Sequence, residues 1–235
     1  MSILKEGLQA RIQAVRDRIT TAASKAGRPA DSVRLLAVSK TFPASAVEAA
    51  LACGLTAFGE NYAQEGCDKV DALRASHPEA GLEWHFIGPL QGNKTRMVAE
   101  RFDWVQSVDR ERIALRLAEQ RPAHLPPLNV LLQVNISAED SKSGLAPEDV
   151  PALAALVARQ ERLRLRGLMA IPEATDDPAR QGAAFVRMRA LFEALRDAGY
   201  EIDTLSMGMS GDLDAAIAEG ATLVRIGTAI FGDRS

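Results

Sequence analysis

The chain has 235 residues, 47% of them apolar, with a net charge of -3; this is enough for one large core of the size usual for a single α/β barrel, and the near balance of charge gives no reason to expect nucleic acid or an anionic membrane as a partner. Two cysteines, Cys53 and Cys67, fit reduced thiols rather than a disulfide framework, and His77, His85 and His124 are too scattered for a recognisable metal cluster. No signal-peptide core follows Met1 and no apolar run approaches membrane-spanning length, so the chain reads as a cytoplasmic protein of one domain, 1–235.

Leu8, Ile12, Val15 and Ile19 recur at helical spacing, with Gly27 and Pro29 as the stop. This helix precedes the first strand and stands outside any repeat. The first strand is Val33 to Ser39, and its helix runs from about Pro43 to Gly54. Thr56–Gly59 reads as the second strand, with a helix over about 64–75, and Trp84–Gly88 as the third, with a short helix near 96–101. Trp104–Val108 is the fourth, after which Asp109 is placed to cap a helix ending near Gln120. Asn129–Asn135 is the fifth strand, followed by the loop 136–145 and a helix opened by Pro147. Arg166–Ile171 is the sixth, followed by a long helix over about 178–198. Thr204–Met207 and Thr222–Ile226 complete the set, with a helix over 213–219 between them. Strict alternation implies a parallel sheet, and roughly eight units in about 200 residues imply an α/β fold of the closed (β/α)8 TIM-barrel type with an extra N-terminal helix. A doubly wound open sheet is the alternative. It is usually announced by a Gly-rich turn after the first strand, which Ser39-Lys40-Thr41-Phe42 is not.

In a parallel barrel the strand ends share one mouth, where ligands bind. Lys40 lies there, at the end of an aliphatic strand. Partial desolvation disfavours its ammonium and leaves a nucleophilic amine able to form a Schiff base with a carbonyl compound; the alternative is a lysine that only snorkels into water. The same mouth receives Asn61, His85, Asn135, Met169, Ser206, Ser210, Arg225 and Thr228. The loops after the last two strands, Gly208-Met209-Ser210-Gly211-Asp212 and Gly227-Thr228, combine glycine with hydroxyl residues where barrels commonly bind phosphate. Arg225 sits inside a strand and needs a buried partner. The ring nitrogen of pyridoxal phosphate is one; a carboxylate such as Glu60 is the other.

The motifs Leu-Ala-Val-Ser-Lys (36–40), Phe-Gly-Glu-Asn-Tyr (58–62), Glu-Trp-His-Phe-Ile-Gly-Pro-Leu-Gln (83–91) and Ser-Lys-Ser-Gly (141–144) resemble the pyridoxal phosphate homeostasis protein family. So do Arg-Gly-Leu-Met-Ala-Ile (166–171), Leu-Ser-Met-Gly-Met-Ser (205–210) and Val-Arg-Ile-Gly-Thr-Ala-Ile-Phe-Gly (224–232). The resemblance covers essentially the whole chain. It implies a barrel similar to that of alanine racemase, with Lys40 as the Schiff-base lysine and Arg225 near the pyridine nitrogen. It further implies Ser210, Gly227 and Thr228 around the phosphate, and Asn61 and Ser206 lining the cofactor; the reading of the loops themselves adds the amide of Gly211 to the phosphate donors. Members often carry an acidic residue where this chain has Gly211.

The resemblance implies cofactor supply and amino-acid balance rather than an established turnover. An arginine opposite the ring nitrogen disfavours its protonation and weakens the electron sink. Racemases that resemble this barrel draw a tyrosine base from a separate β-domain, and the one-domain reading of this sequence expects no counterpart of it here. Three readings are weighed: a non-enzymatic binder that stores, shields or delivers pyridoxal 5'-phosphate to apo-enzymes, a racemase-like enzyme dependent on it, and a Schiff-base aldolase without cofactor. The first is favoured, as a monomer. Lys142, in the loop after the fifth strand, is a candidate second amine for cofactor in transit; the alternative is a solvated loop lysine.

Overall fold

The structure is a computed structural model that describes residues 2–137, 143–173 and 177–232. Eight parallel strands, β1 (Arg34–Val38), β2 (Ala57–Glu60), β3 (Glu83–Phe86), β4 (Trp104–Val108), β5 (Leu128–Gln133), β6 (Leu163–Met169), β7 (Thr204–Ser206) and β8 (Leu223–Ile226), close into a barrel in chain order. Helix α1 (Ser2–Lys25) precedes the barrel. The others, α2 (Ala44–Leu51), α3 (Ala63–Ser76), α4 (Thr95–Arg101), α5 (Glu111–Gln120), α6 (Val150–Ala158), α7 (Pro178–Asp197), α8 (Leu213–Ala218) and α9 (Thr228–Phe231), each follow a strand. The (β/α)8 expectation therefore holds, including the additional first helix.

Alternation along each strand divides the apolar residues between two cores. Phe58, Trp84, Phe86, Val105, Val130, Leu132, Leu168, Val224 and Ile226 face outward and are buried beneath the helices. Each such fully buried side chain contributes about 1.5–3 kcal/mol. Leu36, Ile87 and Leu223 form one small cluster apart from that core, and Trp104, Leu131 and Met169 another. These lie inside the barrel. Between them the interior carries His85, Gln106, Ser206 and Arg225, all buried. Leu8, Ile12, Val15 and Ile19 bury one stripe of α1, which packs chiefly on α8 and α9.

Two local readings change. Strand β6 begins at Leu163 rather than Arg166, because a bulge opposite Val130 and Leu131 accommodates an extra residue. The extra residue is Arg166, which lies over Trp104 with its guanidinium carbon 4.6 Å from the ring centroid. Asp109 does not cap the helix after β4: α5 starts beyond Arg110 with no side-chain cap, and the Asp109 carboxylate accepts from Arg110 Nη1 at 2.7 Å instead. After β8 the Gly227-Thr228 loop runs directly into the single-turn helix α9.

Both cysteines are free, and burial pushes the Cys67 thiol up to about 11. Among the described residues no helix is long and apolar enough to cross a membrane, and none of the His, Cys, Asp and Glu groups could hold a metal ion.

Gly167 follows the bulge with φ +142, and a Cβ there would stand 2.0 Å from the Thr204 carbonyl oxygen of the neighbouring strand. Gly167→Ala is expected to cost about 3 kcal/mol, read as a lower urea midpoint at unchanged slope. A midpoint equal to wild type would show that β6 and β7 do not approach this closely.

Candidate functional site at the barrel mouth

Lys40 is half-buried just beyond β1, and the residues on either side of it are locked in place. Ser39 is buried and its hydroxyl donates to Glu60 Oε1 at 2.6 Å. Lys69 of α3 donates from one ammonium to the Ser39 carbonyl (2.8 Å), Glu60 Oε1 (2.8 Å) and Glu65 Oε1 (2.7 Å). Glu65 Oε1 also accepts from the Thr41 amide at 2.6 Å. Thr41 has φ +67, a left-handed conformation that a β-branched residue adopts only when its surroundings impose it, at about 1–3 kcal/mol. Burial pushes the Glu60 carboxyl upward, opposed by its contacts with Lys69 and Ser39. The ion cluster thus sets the backbone that presents Lys40. It also answers one alternative from the sequence: Glu60 is the partner of Lys69, not of Arg225.

Arg225 is 4% exposed. Its hydrogen-bond partners among the described residues are neutral: Nη1 donates to Ser206 Oγ at 2.7 Å and Nη2 to the Ala170 carbonyl at 2.8 Å. Burial lowers the guanidinium to about 10, with Asp212 opposing, so it stays charged at neutral pH. From Arg225 a chain of donors runs down the barrel. Ser206 Oγ donates to Gln106 Oε1 (2.6 Å), Gln106 Nε2 to His85 Nδ1 (2.9 Å), and His85 Nε2 to Glu83 Oε1 (2.7 Å), which Arg34 also contacts. Every donor points the same way, so each bond polarises the next.

This chain corrects the expectation for His85. It does not line the mouth: it is fully buried, bonded to the first residue of β3 and stacked on Trp104 at 5.0 Å. Met169 likewise packs inside, with Trp104 and Leu131. Ser206 is present, but its hydroxyl is engaged with Arg225 and Gln106. Sequence reading passed over Gln106, Glu60 as an anchor, and Lys69. The available signal was a glutamine inside the otherwise apolar run Trp104–Val108, and a Lys69 spaced i, i+4 from Glu65.

The remaining predicted residues come from the loops after β2, β5, β7 and β8. Asn61 Oδ1 is buried without a hydrogen-bond partner among the described residues. Gly227 abuts the end of β1, since a Cβ there would lie 3.2 Å from the Val38 carbonyl oxygen. The Phe42 and Phe231 rings meet in a tilted contact, centroids 5.1 Å apart, joining the loop after Lys40 to α9. Ser210 is half-buried, and Gly211 and Thr228 are exposed. Among the described residues no acceptor is recorded for the N–H groups of Ser210, Gly211 or Gly227. Asn135 lies half-buried beyond β5, its amide bonded to the Leu145 carbonyl at 3.0 Å. Lys142 and Ser141 lie outside the described residues. Topology therefore brings Lys40, Asn61, Arg225 and the two Gly-hydroxyl loops to one end of the barrel, with an amine, an unpartnered amide oxygen, a desolvated cation and available amides. That donor set suits a small anion bearing a carbonyl and a ring acceptor.

Burial holds His85 below the usual imidazole value, with its bond to Glu83 only partly opposing. The unfolded chain therefore takes up this proton first as pH falls below about 6.5, and the contribution present above that pH is lost on acidification, by at most about 1.4 kcal/mol per pH unit. Urea midpoints should fall between pH 7 and pH 5, and His85→Gln should flatten that segment. An equal slope in both proteins would place His85 in contact with water.

The model of the alanine racemase N-terminal domain family matches residues 11–235. A Pseudomonas aeruginosa protein named pyridoxal phosphate homeostasis protein is 61% identical over 223 residues, 95% of this chain and 94% of its own length. The protein of that name from Vibrio cholerae is 56% identical, covering 97% and 96%. Among solved structures, PipY of Synechococcus elongatus with pyridoxal phosphate bound matches with a TM-score of 0.83 and 34% identity over 96% of this chain and 100% of its own. Alanine racemase from Streptomyces coelicolor, 23% identical with a TM-score of 0.76, shares the fold over 59% of its length. A closed barrel matched along nearly its whole length by such relatives settles the lineage: the chain belongs to the pyridoxal phosphate homeostasis protein family, within the alanine racemase N-terminal domain fold.

Proposed function

We propose that this chain binds pyridoxal 5'-phosphate and supplies it to apo-enzymes, without turnover of its own. The observation that carries the reading is Arg225, a buried guanidinium that remains charged, hydrogen-bonds only to neutral groups among the described residues and lies at the lysine-bearing end of the barrel. Such a donor suits an uncharged ring nitrogen, and its charge disfavours protonation there. Pyridoxal phosphate, when bound, supplies an aldehyde carbon and, with a protonated ring, an electron sink for amino-acid chemistry. Lys40 supplies the amine that fixes the aldehyde. Asn61 offers a buried oxygen lacking a partner, and the amides of Ser210, Gly211 and Gly227 with the hydroxyls of Ser210 and Thr228 supply donors for the phosphate. The column through Ser206, Gln106 and His85 keeps Arg225 in place. Relatives named pyridoxal phosphate homeostasis protein, and PipY with pyridoxal phosphate bound, support the same reading.

The test compares delivery with turnover on one loaded preparation. Activation of a pyridoxal phosphate-dependent apo-enzyme is expected, near one equivalent per chain, in the presence of a trap for free cofactor. Exchange of amino-acid α-protons with solvent deuterium should stay at the level of free pyridoxal phosphate. Exchange over many turnovers, abolished in Lys40→Ala, would replace the carrier reading with that of a racemase-like enzyme.

A further inference from the structure

Helix α1 belongs to none of the strand–helix units, yet its side chains reach the two loops assigned above to the phosphate. Arg18 Nη1 donates to the Ser210 carbonyl at 2.7 Å, and its other nitrogens engage the carboxylate of Asp214, in α8. Arg11 Nε donates to the Ile230 carbonyl of α9 at 2.6 Å. The two arginines are two helical turns apart, roughly 10 Å, and each immediately precedes a residue of the buried stripe, Ile12 and Ile19. They are therefore held in register by the same packing that docks α1. Just beyond the helix, Arg28 Nη1 donates to the Ile217 carbonyl at 2.8 Å, tying down the end of α8.

A trans peptide points its C=O and N–H in opposite directions. A guanidinium that fixes the Ser210 carbonyl toward α1 therefore turns the Gly211 N–H away from it. Gly211 has no side chain and no atom within 4 Å of a Cβ position; the turn around it is closed by the Asp212 N–H donating to the Met209 carbonyl at 3.2 Å and the Met209 N–H donating to Asp212 Oδ1, and Arg18 is the contact that reaches it from outside. On the other loop, Arg11 secures the far end of the single turn that starts at Thr228.

We propose that α1 is the positioning element of the phosphate grip, with Arg18 and Arg11 holding the loops after β7 and β8 so that retention of the phosphate is set from outside the barrel. The proposal rests on the phosphate reading of those loops. It gives α1 a function beyond covering apolar surface. A surface event that loosens this helix becomes a route to cofactor release without touching Lys40.

The test measures dissociation of pyridoxal phosphate and of pyridoxal from the full chain, by stopped-flow absorbance in the presence of a trapping hydrazine. In the double variant Arg11→Ala/Arg18→Ala, loss of charge-assisted bonds should speed release of pyridoxal phosphate about tenfold or more. Release of pyridoxal should change less than about twofold on the same energetic grounds. Arg18→Lys, which keeps one donor for the Ser210 carbonyl, should recover part of the loss in the single-site background. Equal acceleration for both ligands, or none for either, would overturn the role of α1. Ser210→Ala/Thr228→Ala serves as the separate arm. If it weakens pyridoxal phosphate selectively while the arginine variants behave as wild type, only the inference about α1 fails. If it fails to discriminate between the two ligands, the phosphate assignment itself falls, and the inference with it.

Discussion

Burying a guanidinium inside a barrel with no carboxylate among its hydrogen-bond partners in the described residues is the constraint around which the interior is organised. Desolvating a charge is costly, and removal of one partner from a buried charged group typically costs about 3–5 kcal/mol. Arg225 is accommodated by Ser206 and the Ala170 carbonyl, and the serine proton is committed in turn to Gln106 and onward to His85 and Glu83. A column of polar groups thereby replaces part of the apolar filling that a barrel of this kind usually has. Burial depresses His85, so it is neutral and can accept from Gln106 while donating to Glu83. Burial alone would raise Glu83, but the contacts from His85 and Arg34 outweigh it and hold the carboxyl at about 2. The state of the cation at the mouth is thus linked to an ion pair at the opposite end of the barrel.

A second constraint fixes the amine. Lys69 occupies three acceptors at once, and two of them belong to the segments that flank Lys40, through Ser39 directly and through Glu65 to Thr41. The strained Thr41 backbone is maintained by this buried cluster, and the Phe42–Phe231 contact carries its position across to the loop after β8. The mouth is therefore pre-organised on three sides: α3 for the lysine, the interior column for Arg225, and α1 for the loops after β7 and β8.

Much of this architecture was legible in the sequence. Strand–helix alternation, the stops at Gly27 and Gly199, and aliphatic runs such as Leu35–Val38 are local signals, and they located all eight strands within a few residues. Lys40, Arg225 and the two Gly-hydroxyl loops stood out because a charge at the end of or inside an apolar strand, or paired glycines after neighbouring strands, is unusual in itself. What escaped was non-local. Lys69 reads as an ordinary helical lysine until α3 is packed beside β1, and His85 reads as a mouth residue until β3 is seen to begin at Glu83. The bulge in β6 depends on register with β5, and Arg11 and Arg18 look like solvent-facing arginines until α1 is laid against α8 and α9. Periodicity reports which face is buried; it does not report which carbonyl an exposed arginine reaches across the fold.

The account stands on Lys40 as the amine that the surrounding network presents to the cofactor. Borohydride reduction of the protein loaded with one equivalent of pyridoxal phosphate, followed by digestion and mass spectrometry, tests that directly. The account predicts the reduced pyridoxyl group on Lys40 in nearly all labelled peptide. A reproducible label on another lysine, with Lys40 unmodified, would contradict it.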